Sequence, residues 1–108
     1  MKTNDLRIGN LVLNDDGGVC KLFNIHEGYI NHKPIPLTEE WLLKFGFKSI
    51  QDGWYEYSNS NITFSWNIYD RQLRFLGEPF NIQYVHQLQN LYFALTGEEL
   101  EVKQWVRI

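Results

Sequence analysis

From Ile62 to Tyr69 apolar and polar side chains alternate strictly: Ile62, Phe64, Trp66 and Ile68 oppose Thr63, Ser65, Asn67 and Tyr69. A period of two is the mark of a strand with one buried face. Similar short runs lie on either side. Phe47–Ile50 leads through Gln51-Asp52-Gly53 into Trp54–Tyr57, and Asn59-Ser60-Asn61 turns the chain into the alternating strand. Asp70-Arg71 then turns it into Leu73–Leu76, and Gly77-Glu78-Pro79 into Phe80–Ile82. Strands joined by turns this short can only run antiparallel, so the region predicts a meander.

Two segments change to a helical period. From about Gln83 to Thr96, Val85, Leu88, Leu91, Tyr92 and Leu95 recur at helical spacing, and Gly97 stops the run. That stripe predicts Leu91 in the core. The shorter helix, Glu39–Phe45, is marked at both ends. Thr38 is an N-cap, and Glu39 and Glu40 sit in the first turn, where the helix dipole favours negative charge. Leu37 and Leu42 have hydrophobic-staple spacing. Gly46 stands where a left-handed residue ends a helix, with Phe47 folding back on Leu42. Trp41, Leu42 and Phe45 form its apolar stripe.

The first third reads as a small antiparallel β-unit. Leu11–Leu13 is a strand, Asn14-Asp15-Asp16-Gly17-Gly18 a turn, and Val19–Ile25 the return. His26-Glu27-Gly28 turns again into Tyr29–His32, which suggests a curled sheet like an SH3-like half-barrel. Pro34 and Pro36 end the unit. At the other end, Leu100, Val102, Val106 and Ile108 share one parity against Glu101, Lys103, Trp105 and Arg107, and predict a final strand with Gln104 as the polar exception. The expected fold is α+β: β-unit, capped helix, meander, a longer helix packed on the sheet, and a C-terminal strand. Its 108 residues suit a single domain, with one sub-boundary near residues 33–37.

Composition narrows the function. Ten Lys and Arg against thirteen Asp and Glu give a net charge of −3, and no window holds a basic cluster, which argues against nucleic-acid binding. Cys20 stands alone, so no internal disulfide is expected. The first ten residues have no apolar signal core and no run has the length of a membrane helix, so a cytoplasmic location without membrane contact is expected.

Cys20, His26 and His32 are the soft-ligand candidates of the first half, but their spacings match no zinc pattern, and a metal is not expected. No glycine run forms a phosphate loop, so no cofactor is expected either. Glu98, Glu99 and Glu101 read as a solvated acidic cluster rather than a cation site. His86 has no nucleophile in motif context, and an enzyme is not expected. The plainer reading of His86 is a solvent-facing or capping group. The aromatics are the more suggestive set: Tyr55 and Tyr57 share one strand parity and Trp54 takes the other, while Tyr69 and Trp105 fall on outward parities. Exposed rings on a sheet can anchor a protein partner, whereas buried ones thicken a thin sheet by cross-strand pairing.

The blocks LRIGN (Leu6–Asn10), PIPLTEEWLLKFGF (Pro34–Phe47) and VHQLQNLYFALTGEEL (Val85–Leu100) resemble a family of short proteins encoded by gut bacteria, their phages and mobile elements. The resemblance covers about a third of the chain. It implies a genomic setting, a small accessory protein, and no activity to carry over. The leading expectation is therefore a non-enzymatic protein-binding module using Tyr55, Tyr57, Tyr69 and Trp105. Trp105 is expected at an interface, with a homodimer favoured over a monomer. The alternative is capture of a small molecule or nucleotide beside helix 84–96 by His86, Gln87 and Asn90. Nucleic-acid binding through the β-unit is a weaker alternative.

Overall fold

A computed structural model describes residues 6–14, 16–22, 32–59 and 62–103. The fold is α+β, with two helices, a two-stranded and a five-stranded antiparallel sheet among the described residues. The chain divides into two units. One runs up to Pro36 and resumes for Tyr84–Glu99; the other is Leu37–Gln83 with the residues from Leu100 onward.

The first unit holds β1 (Leu11–Leu13), β2 (Val19–Lys21) and α2 (Val85–Thr96). Val12 pairs with Cys20, and Leu6, Val12 and Leu22 close a small apolar cluster against which Cys20 packs. The hairpin turn is built by Asn14, whose Oδ1 accepts the N–H groups of Asp16 (3.0 Å) and Gly18 (2.9 Å). The expected return strand extends to Ile25, and Phe23–Asn31 lie outside the described residues. Lys33 then bridges to Leu13, a single antiparallel pairing beside β1.

The longer helix packs on β1 in this unit. Its buried side chains are Val85, His86, Leu88, Gln89 and Tyr92. This corrects the sequence reading of the helix faces. Leu91, expected in the core, is half-buried; Leu95 is 42% exposed; and His86, expected at the surface, is 1% exposed. The buried arc is turned toward His86 and Gln89 because the Gln89 amide is needed inside. Its Oε1 accepts the Leu11 N–H at 2.8 Å, and its Nε2 donates to the Gly9 carbonyl at 3.2 Å. A buried amide with both ends satisfied can sit in a core position that hydrophobicity alone would assign to a leucine.

The second unit is a continuous meander, β3 (Lys48–Gln51), β4 (Trp54–Ser58), β5 (Thr63–Asn67), β6 (Gln72–Phe75) and β7 (Glu78–Phe80), preceded by α1 (Glu39–Phe45). Directly opposed residues in antiparallel strands share a face. Tyr55, Trp66, Leu73 and Phe80 form one cross-strand row, Tyr57 and Phe64 another, and Phe64 meets Phe75 edge-on at 5.8 Å. This is the core face. α1 lies on it and buries Trp41, Leu42 and Phe45, while Phe47 reaches the Tyr57 ring at 5.4 Å. Both helix ends are as the sequence predicts: Thr38 accepts the Trp41 N–H, Gly46 is left-handed (φ 103°), and the Phe47 N–H returns to the Leu42 carbonyl.

Three strand boundaries differ from expectation. Asn67 ends β5 early, because its Oδ1 accepts the Tyr69 N–H (2.9 Å) and that of Asp70 (3.3 Å), curling Ile68 and Tyr69 into a turn. The last hairpin turns at Leu76-Gly77 rather than Gly77-Glu78-Pro79, both residues having positive φ (53° and 81°), so Glu78 and Pro79 belong to β7. Leu100–Lys103 form no strand, and the Lys103 N–H instead donates to the Lys44 carbonyl at the end of α1. The remainder of that expected strand, including Trp105, lies outside the described residues.

Candidate protein-recognition face

The face of the five-stranded sheet opposite its core carries two cross-strand rows. One is Trp54, Asn67 and Gln72; the other runs Lys48, Glu56, Ser65, Arg74 and Pro79. Ser58 and Thr63 form a further pair, with hydroxyls 3.0 Å apart. Of these residues Asn67 alone is buried. A sheet face with small hydroxyls, amides and mixed charge is the solvated side expected of an antiparallel sheet. The large ring of Trp54 is the exception on it.

Trp54 is half-buried, and the Arg74 guanidinium lies 5.0 Å from its ring centroid. Arg74 is held in turn by Asp70, which pairs with it from the β5–β6 turn. That bond keeps the Asp70 carboxyl below its ordinary range and raises Arg74 above its own. In the adjoining turn the Tyr69 ring rests on Gly53 and is still 70% exposed. Its hydroxyl donates to Asp52 at 3.2 Å, and this bond raises the phenol pKa. Gly53 has φ 79°, and a Cβ there would stand 2.4 Å from Tyr69 Cε2, so this turn needs glycine twice over. Trp54, Arg74 and Asp70 thus form one cluster at this end of the outer face, and Tyr69 covers the neighbouring β3–β4 turn.

The other residues singled out by sequence are placed as follows. Tyr57 is in the core, and its hydroxyl accepts from Asn59 Nδ2 at 3.1 Å. Tyr55 also faces the core side; its hydroxyl donates to Glu39 at 2.6 Å, which raises its pKa. Their shared parity is the inward one, and Trp54, left out of the expected set, holds the outward parity. Parity alone separated these residues, but only α1 shows which side is covered. His86 is buried, with its ring stacked on Tyr84 at 5.9 Å. Gln87 caps its own helix, Oε1 accepting the Tyr84 N–H at 3.1 Å.

Asn90 belongs to a network in the first unit. Its Oδ1 accepts from Arg7 Nε (3.1 Å) and Asn10 Nδ2 (2.8 Å). Arg7 also pairs with Glu99 through both terminal nitrogens and lies 4.2 Å from the Phe93 ring centroid. Gly9 (φ 99°) leaves room for the Glu99 carboxylate, which a Cβ would approach at 3.3 Å. The partners lie some eighty residues apart in sequence, so no local pattern announces them. Glu99 is in this network and not merely part of a solvated acidic run.

Among the described residues no three His, Cys, Asp or Glu side chains are grouped to hold a metal, and no helix is long and apolar enough to cross a membrane. Burial raises the Cys20 thiol pKa, which makes it less nucleophilic. Comparison with models of protein families, with curated proteins and with solved structures returns no match.

Proposed function

We propose that the chain is a non-enzymatic protein-binding module and that the outer face of the five-stranded sheet is its recognition surface. The observation that carries this reading is the Trp54 ring against Arg74 on a face otherwise made of hydroxyls, amides and mixed charge, with the exposed Tyr69 ring in the adjoining turn. Aromatic residues flanked by arginine dominate binding energy in protein interfaces, because a large ring gains contact area at little entropic cost. Here Arg74, held by Asp70, keeps the Trp54 ring in place before any partner arrives. The partner side suited to this surface is an apolar or aromatic anchor with a mixed-charge rim. The amides that a ligand beside α2 would use are engaged within the chain, Gln87 at the helix start and Asn90 with Arg7 and Asn10. The acidic balance disfavours nucleic acid on the same face. In this reading the protein is a cytoplasmic accessory factor, in keeping with the genomic setting that its sequence blocks imply.

The test is capture from host lysate by the intact chain and by Tyr69→Ala and Trp54→Ala, with mass spectrometry of proteins and of co-purified small molecules. A partner held by the parent in near-equal amount and lost by both variants, at unchanged fold, is the expected result. Equal retention by all three, no protein captured, or a small molecule alone contradicts it.

A further inference from the structure

We draw no further inference here: the strongest candidate, the free edge of β3 at the border of the five-stranded sheet with its exposed Ile50, carries nothing, because nothing in the structure shows what covers it.

Discussion

The two helices obey different kinds of instruction. α1 is specified by its neighbours in sequence: Thr38 caps it, Glu39 and Glu40 complement its dipole, and Gly46 and Phe47 close it in a single turn. α2 has no charge in its first or last turn and is capped instead by Gln87 and by the left-handed Gly97 (φ 77°). What fixes its rotation is distant: Gln89 on Leu11 and Gly9, and Asn90 on Asn10 and Arg7. The comparison shows that local capping signals locate a helix, while the partners of its polar side chains decide which face goes inside.

The largest effects lie in the two apolar stripes. Phe45→Ala in α1 and Leu88→Ala in α2, both fully buried, are each expected to lose about 2–5 kcal/mol in denaturant unfolding. Equal losses from Leu95→Ala, 42% exposed at the far end of the same row, would erase the distinction between the buried arc of α2 and its flank. Gln89→Ala comes next, at about 1–3 kcal/mol, because it strands the Leu11 N–H in a buried site. Exchange of that amide with solvent is expected to quicken in the same variant. Thr38→Ala is expected to cost about 1 kcal/mol and to act on α1 alone. A smaller effect of opposite sign is expected at the β6–β7 turn. Leu76 is 84% exposed with φ 53°, and Leu76→Asn, which tolerates that conformation, is expected to raise stability by about 0.5 kcal/mol.

Alkaline titration separates the tyrosines. Tyr55 and Tyr69 both donate to carboxylates, and their folded pKa values are raised from 10.0. Groups raised in the folded state contribute stability that is fully present below the unfolded pKa and lost as pH rises through the folded one. Two of the phenols are therefore expected to ionise late by ultraviolet absorbance. Glu39→Gln is expected to bring Tyr55 back toward its ordinary range, and Asp52→Asn to do the same for Tyr69.

Where period and punctuation carry the information, sequence was a good guide. The meander, the bounds of α1, the β1–β2 hairpin and the α+β class all follow from alternation, caps and turns. Boundaries slipped where a side chain captured backbone groups, as Asn67 does at the end of β5. The site was legible only in part. Parity distinguished Trp54 from Tyr55 and Tyr57, but the covered side of the sheet depends on α1, which packs from outside the strand. Tyr69, expected on the outward parity of β5, stands instead in the turn that follows the strand. The Arg7, Asn10, Asn90 and Glu99 network spans nearly the whole chain, and no local pattern encodes a pairing across that distance.

The rotation of α2 is set by the partners of Gln89 and Asn90 rather than by the spacing of its leucines. Denaturant unfolding of Leu88→Ala and Leu95→Ala measures this most directly, because the two leucines belong to one sequence stripe and only Leu88 is fully buried. Leu88→Ala is expected to lose about 2–5 kcal/mol, and Leu95→Ala less than about 1 kcal/mol. Equal losses from the two variants would contradict this rotation.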